Sequence, residues 1–442
     1  MLEERRIEFG TDGVRGVANE GLMPEDALRL GLAGARFFGG PLVMGRDTRL
    51  SSGMLSASLA AGAASGGANV LDLGVLPTPG VAVLARRFGA SAAAVVSASH
   101  NPYPDNGIKF LSGEGRKLPA AQERELERLT GGDVEPSRPM GSGVGTVETV
   151  AGTAELYAEA ILNRLRPPAE GTRVLLDCAH GAAYAVAPLA FAELGADLTV
   201  VGNEPNGTNI NEGVGSTNVR KLGAAGHDVA FAFDGDADRV LAVDERGRVM
   251  DGDRIVAILA RDLKERGALM GGVVVTVMSN LGFFKAMKSL RIPYEVTPVG
   301  DRHVAEAMKR RGASLGGEQS GHIIVSEHAT TGDGLVTALA LLDVMVRSGK
   351  TLSELAEVME VYPQALINVP VMDKAIAGSG PVKEAVVRAE GKLKDEGRIL
   401  LRPSGTEPVI RVMVEHEDET LCHEVCEEVA SVVAVSSPGV RV

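Results

Sequence analysis

The chain has 442 residues, 45% hydrophobic and 23% charged, a balance typical of a folded protein in water, and it is too long for one hydrophobic core. Its 45 lysines and arginines against 58 acids leave a formal charge of −13, and aromatic residues make up 3%. That argues against a nucleic-acid surface, which needs a basic groove and stacking rings, and leaves room for a basic pocket that takes an anionic small molecule.

The first residues, Met1-Leu2-Glu3-Glu4-Arg5-Arg6, hold no apolar leader-like run and read as a mature, cytoplasmic start. Residues 55–70 are mildly apolar but rich in Ala, Gly and Ser, too weak to span a bilayer, so no membrane partner is expected. The three cysteines are too scattered for a disulfide framework. Cys422 and Cys426, four apart on an amphipathic terminal helix, read as buried or half-buried thiols in preference to metal ligands.

One pattern then occurs three times. A short apolar strand at 41–47, 174–179 and 273–280 precedes a helix at 54–66, 183–194 and 282–290. A second strand follows at 69–73, 197–201 and 294–297, and a third at 92–96, 229–233 and 313–315. Directly after the third strand comes a polar loop: Ser99-His100, Asp234 to Arg239, and Glu318 to His322. Each loop continues as a hairpin-like stretch and a helix, residues 239–249 being the clearest hairpin. Strands alternating with helices at this spacing make right-handed βαβ crossovers in mixed, mostly parallel sheets, which bind ligands beyond the carboxyl ends of their strands.

The expected fold is therefore α/β, with three similar mixed-sheet α/β domains around a central cleft plus a smaller C-terminal α+β domain. The Gly/Pro/Ser-rich stretch 131–143 closes the first domain near residue 150, Asp251-Gly252-Asp253 opens a new helix, and Tyr362-Pro363 breaks the pattern after a helix at 352–359. This gives domains at 1–150, 151–252, 253–363 and 364–442. The last runs strand, helix, strand, strand, helix at 366–371, 380–393, 398–402, 409–415 and 420–433.

Four loops carry chemistry. Asp234, Asp236 and Asp238 alternate, and an extended backbone would point all three carboxylates to one side. Such crowding calls for a hard cation, Mg²⁺ being the usual companion of phosphates. An EF-hand is the rival, since Glu245 is twelfth from Asp234, but Arg239 stands where that loop needs glycine and strands flank it. A solvated acidic turn is the plainer alternative.

Ser99, if it touches that metal, either attacks an acyl group or carries a phosphoryl group. No Gly-x-Ser-x-Gly elbow surrounds it, which weakens the hydrolase reading. A serine beside an acid-held magnesium fits phosphoryl transfer. In isolation, Ser97-Ala98-Ser99-His100 would pass for an ordinary serine-rich turn. His100 or Lys109 would shuttle a substrate proton, and Arg15 and Arg239 would neutralise the transferring group. On its own, Arg15 would read as a surface arginine in a Gly-rich loop.

Glu318, Ser320 and His322 offer acceptors and donors for a sugar's vicinal hydroxyls. Arg402, Ser404, Gly405 and Thr406 form a short cationic nest for a phosphate dianion, with Arg411 able to add to it. Without the other loops, 402–408 would read as a plain turn.

Taken together, these segments resemble the α-D-phosphohexomutase superfamily and, within it, the bacterial phosphoglucosamine mutases. The resemblance runs from Phe9-Gly10-Thr11-Asp12-Gly13 to Arg402-Pro403-Ser404-Gly405-Thr406-Glu407-Pro408. The narrower branch rests on Gly317-Glu318-Gln319-Ser320-Gly321-His322, on Val299-Gly300-Asp301-Arg302, and on Gly207-Thr208-Asn209-Ile210-Asn211 before Gly215-Ser216. Two departures stand out: Val214 where these mutases often have Cys, and a short 216–234 segment that predicts a stubby helix.

The resemblance implies one Mg²⁺ per chain on Ser99, Asp234, Asp236 and Asp238, phosphorylation of Ser99, and a hexosamine 1,6-bisphosphate as primer. It adds Arg302 to the substrate-binding residues. The implied activity interconverts glucosamine 6-phosphate and glucosamine 1-phosphate on the way to UDP-N-acetylglucosamine and the cell wall. Its only partner is then the small-molecule hexosamine phosphate, and a homodimer is left open. A phosphomannomutase/phosphoglucomutase is the alternative within enzymes. A non-catalytic sugar-phosphate sensor is the alternative outside them, although it would be expected to have lost the reactive groups.

Overall fold

The computed structural model describes residues 7–10, 12–131, 138–223, 226–404 and 407–437, which fall into two compact units. One comprises the chain up to Met278 together with Ile292–Val358; the other comprises Ser279–Arg291 and the chain from Met359.

The first unit holds three sheets built on one plan. In the first, the strands Asp105–Ser112, Ala92–Val96, Leu42–Arg46 and Val70–Val75 lie side by side in that order. In the second the order is Val240–Asp244, Val229–Phe233, Arg173–Asp177 and Asp197–Val201. In the third it is Ile323–Val325, Leu315–Gly317, Val273–Thr276 and Tyr294–Thr297. Each time the first-named strand is antiparallel to its neighbour and the other pairings are parallel. The threefold repeat expected from the sequence is thus a repeat of topology. Each polar loop is the connection between the third strand of a repeat and its antiparallel partner, beyond the carboxyl end of a central strand, where open α/β sheets bind ligands.

The central strands are apolar because they are covered on both faces: Ala92–Val96 and Val229–Phe233 are buried at every position. The helices start where side chains satisfy their free N–H groups. Asp251 accepts from Arg254 N at the head of Gly252–Glu265, and Asp333 from Val336 N at the head of Gly334–Ser348. The helices Pro24–Phe38 and Leu50–Ser65 pack so closely that a Cβ at Gly62 would collide with the Leu28 carbonyl oxygen.

Several local expectations are corrected. The first strand of the third repeat ends at Thr276, short of 280. The helix expected at 54–66 begins four residues earlier, at Leu50. The helix expected at 352–359 is one α-turn, Leu352–Leu355, followed by a 3-10 turn, Ala356–Val358. The stubby helix is a 3-10 segment, Ser216–Lys221. The first sheet gains two strands that the repeat did not announce, Val14–Val17 and Val147–Thr149.

The second unit has an antiparallel sheet ordered Gln364–Pro370, Val409–Glu415, Arg398–Pro403, with the helices Gly380–Leu393 and Glu419–Ser436. The helix Leu281–Ser289 belongs here: Leu281 N donates to Glu415 at 2.8 Å and Asn280 Nδ2 to the Tyr362 carbonyl at 3.0 Å. Cys422 and Cys426 are buried, and Cys422 Sγ lies 2.9 Å from the Val414 carbonyl it donates to. Among the described residues, no helix is long and apolar enough to cross a membrane.

Candidate active site

The loops of the three repeats meet in the first unit. Ser99 follows the buried strand Ala92–Val96 and is itself buried, with φ 53, in the left-handed region that a serine rarely adopts. Its hydroxyl donates to Asp234 Oδ2 at 2.6 Å, and His100 Nδ1 lies 3.3 Å from the same Oγ. The two loops touch along their backbones as well. A Cβ at Gly235 would collide with the Ser99 carbonyl oxygen, so glycine is required there.

Asp234, Asp236 and Asp238 are buried, with ligand oxygens all within 4.8 Å of one another. They converge through a turn, with Ala237 at φ 55, where the alternation had suggested an extended strand. Asp236 Oδ1 and Asp238 Oδ1 are buried and accept no hydrogen bond. Bare anionic oxygens inside a protein are costly, and three of these carboxylates fit a hard divalent cation of the Mg²⁺ type.

The surrounding charges point the same way. Burial pushes Asp234 well above the usual carboxylate range, and the charges of Asp238 and Asp236 add to it. Burial also acts on Asp238, but His322, Lys109 and Arg239 outweigh it and hold that carboxyl low. Lys109 Nζ donates to Asp236 Oδ2 at 2.8 Å and lies 3.8 Å from Asp238. Although burial opposes it, the charges of Asp12, Asp236 and Asp238 hold Lys109 as an ammonium. His100 is shifted the other way, first by burial and then by Arg239 and Arg15, and is neutral near pH 7. Of the two groups the sequence offered as proton shuttles, His100 is the one shifted toward its neutral form.

Arg15 pairs with Asp12, and Arg239 Nε lies 3.7 Å from Asp238 Oδ1. The third loop arrives through a bridge between Arg239 and His322. His322 is buried, with Nδ1 3.5 Å from Asp238 Oδ2, and despite burial that carboxylate raises its pKa to about 9. Glu318 accepts from Gly300 N at 2.9 Å, and Ser320 is exposed. Arg302 is paired with Glu123.

In the second unit, Arg402 and Arg411 face each other across paired strands. Arg411 pairs with Glu407 at 2.8 Å, and Lys374 Nζ donates to the Ser404 carbonyl at 2.6 Å. Gly405 and Thr406 lie outside the described residues.

The sequence reading passed over several groups that complete the site. Thr78 donates its hydroxyl to Asp236 Oδ2 at 2.6 Å and its N–H to the Asp236 carbonyl, so the first repeat helps to fix the acidic loop of the second. Lys117 joins Asp12 to Asp301, at 3.3 and 2.7 Å, tying the first repeat to the third. The only local sign of Thr78 was its place between two prolines, Pro77 and Pro79, at the head of a helix.

Family signatures described as phosphoglucomutase/phosphomannomutase cover most of the chain. The alpha/beta/alpha domains I, II and III match residues 6–135, 155–247 and 251–362, and the C-terminal domain matches 366–432. The phosphoglucosamine mutase of Rubrobacter xylanophilus is 71% identical over 441 residues, 99% of each chain. That of Carboxydothermus hydrogenoformans is 51% identical over 96% of this chain and 98% of its own. Among solved structures, a phosphoglucomutase/phosphomannomutase family protein from Burkholderia thailandensis superposes with a TM-score of 0.82 at 22% identity, covering 100% of this chain and 99% of its own. Aspergillus fumigatus N-acetylphosphoglucosamine mutase, solved with GlcNAc-6P and magnesium, gives 0.71 at 19% identity, covering 98% and 97%. These two structures share the fold.

Proposed function

The chain belongs to the phosphoglucomutase/phosphomannomutase family, and from that membership we propose that it is a phosphoglucosamine mutase using Ser99 as its phosphoryl carrier. The observation that carries the proposal is the Ser99 hydroxyl, donating at 2.6 Å into a buried carboxylate trio that has bare oxygens. The choice of amino sugar is supported by full-length relatives of that name at 47–71% identity.

In the proposed cycle, phosphorylated Ser99 meets glucosamine 6-phosphate. The Oγ–P bond breaks, an O1–P bond forms, and the proton leaving the O1 hydroxyl passes through His100 to the departing Ser99 Oγ. The 1,6-bisphosphate then turns over in the cleft. Its O6–P bond breaks, the phosphoryl group returns to Ser99, and the Ser99 hydroxyl proton passes through His100 to O6. Lys109 and Arg239 stay charged throughout and, with Arg15, stabilise the transferring group electrostatically. Asp234, Asp236, Asp238 and Ser99 would hold Mg²⁺, which when bound supplies positive charge for a phosphoryl group in flight. Glu318, Ser320 and His322, with Arg302, are assigned to the sugar, and Arg402, Ser404, Gly405, Thr406 and Arg411 to the phosphate that is not reacting. The four modules carrying these roles are 1–150, 151–252, 253–363 and 364–442. The proposal places the enzyme in the cytoplasm, primed by a hexosamine 1,6-bisphosphate, and allows a homodimer.

The test compares kcat/KM for glucosamine, glucose and mannose 6-phosphates. Glucosamine 6-phosphate is expected to lead, and a preference for glucose or mannose would replace the assignment with a phosphoglucomutase/phosphomannomutase. Arg402→Ala tests the phosphate clamp. It is expected to weaken substrate binding by about 2–4 kcal/mol, the scale for removing one member of a charge-paired contact. More free bisphosphate should escape, because the intermediate must stay bound while it reorients. If both KM and bisphosphate leakage match the parent, Arg402 is not the clamp.

A further inference from the structure

The sequence 45–49, Gly-Arg-Asp-Thr-Arg, closes the first strand of the first repeat, and the cycle above gives it no role. Arg49 and Asp47 are paired at 2.7 Å with both side chains fully buried. A buried ion pair is weak as a source of stability, so the direction in which its remaining donors point is informative.

A guanidinium has five N–H donors, and all five are used here. Nε donates to Asp47 Oδ2. Nη2 donates to the carbonyls of Ser99 at 2.7 Å and Asn101 at 2.9 Å. Nη1 donates to the carbonyls of Pro102 and, at 2.9 Å, Asp105. Four of the five acceptors therefore belong to one seven-residue segment, 99–105, which carries the reacting hydroxyl and ends on the first residue of the next strand.

Asp47 holds the same loop from its other side. Its Oδ2 accepts from Ser97 Oγ at 2.6 Å, and Ser97 Oγ in turn accepts from Ser99 N at 2.9 Å. Ser52 and the Arg49 backbone N–H saturate the second oxygen of Asp47. The second repeat supplies one more hold: Asn211 Nδ2 donates to the Ser99 carbonyl at 2.9 Å and the Asn101 carbonyl at 3.1 Å. Both the N–H and the carbonyl of Ser99 are thus pinned, at a residue whose positive φ is unfavourable unless its surroundings impose it.

We infer that Asp47, Arg49 and Asn211 are positioning residues for phosphoryl transfer, clamping the backbone behind Ser99 so that its hydroxyl is held in line with Asp234. This rests on the reading of Ser99 as phosphoryl carrier. None of the three is asked to touch substrate. Lysine cannot replace Arg49, because three donors on one nitrogen do not span four carbonyls.

The experiment uses the full-length enzyme, Arg49→Lys and Asn211→Ala, with glucosamine 6-phosphate and bisphosphate primer. Amide hydrogen exchange of the 97–106 segment is measured alongside kinetics. Arg49→Lys is expected to lower kcat about 100-fold, the scale for misplacing a reacting group by about 1 Å, with KM within about twofold of the parent. Asn211→Ala, which removes a half-buried amide, is expected to lower kcat about tenfold with KM equally unmoved, the scale of one or two hydrogen bonds. In both, exchange at 97–106 should quicken while the rest of the chain keeps its protection. If Arg49→Lys does not fold, Asn211→Ala decides the matter alone. Parental kcat in a variant with a loosened loop, or a rise in KM at parental kcat, would overturn the positioning role; unchanged exchange at 97–106 would overturn the clamp itself. A parent inactive on all three hexose 6-phosphates would overturn the mutase reading instead, and loop exchange would still decide whether Arg49 and Asn211 restrain Ser99.

Discussion

Replacing Ser99 with alanine is expected to leave the fold intact and to lower turnover by roughly 10⁵–10⁶-fold, the scale seen when a covalent nucleophile is removed. The side chain is small and buried, and its contacts are the hydrogen bond to Asp234 and the approach of His100, so its loss leaves no large cavity. The backbone at φ 53 is held from outside, and alanine meets the same restraint that serine does. Intact-mass analysis of the active parent should show a phosphate adduct on the peptide containing Ser99, absent from the variant. Robust turnover by the alanine variant would remove the phosphoserine from the mechanism.

Stripping divalent metal is expected to cost at least 10²–10³-fold in turnover, roughly the price of losing one preorganised electrostatic contact in a transition state, and added Mg²⁺ should restore it. The reason lies in the charge balance. Three carboxylates share a buried volume, and their two bare oxygens, on Asp236 and Asp238, point to a missing positive partner that Lys109 and Arg239 do not fully supply. A second readout is independent of chemistry: Mg²⁺ that binds the folded state should raise Tm in a concentration-dependent way. Full turnover after rigorous chelation, with Tm indifferent to Mg²⁺, would show that the trio is balanced by protein cations alone.

The repeats and the three loops that meet at Ser99 were legible in the sequence because both are short-range patterns. A strand of small apolar residues, a helix period and a polar loop each fit within about 15 residues, and Asp234, Asp236 and Asp238 announce their own crowding. What escaped was long-range or conformational. Ala237 takes a left-handed turn that nothing in its side chain signals, so the trio looked like an extended strand. The helix at Leu50 was placed four residues late because its N-cap is Arg49, whose side chain makes no cap and is committed to the Ser99 loop. Thr351 and Glu354 form a capping box that correctly marks a start, but the α-helix that follows lasts a single turn. Lys117 with Asp301, and Thr78 with Asp236, join residues 184 and 158 positions apart, and no local pattern encodes such meetings.

The buried cysteines divide between the two compact units: Cys178 in the first, Cys422 and Cys426 in the second. Burial pushes all three thiols up, Cys426 to about 11, so little thiolate forms at neutral pH even before access is considered. An alkylating reagent therefore reacts only when a thiol is uncovered by a local or global opening. Since the reagent leaves a mass tag on a peptide of known position, its kinetics separate the breathing of one unit from that of the other. A chain with no tryptophan, poorly suited to fluorescence, thus carries its own pair of chemical clocks for opening.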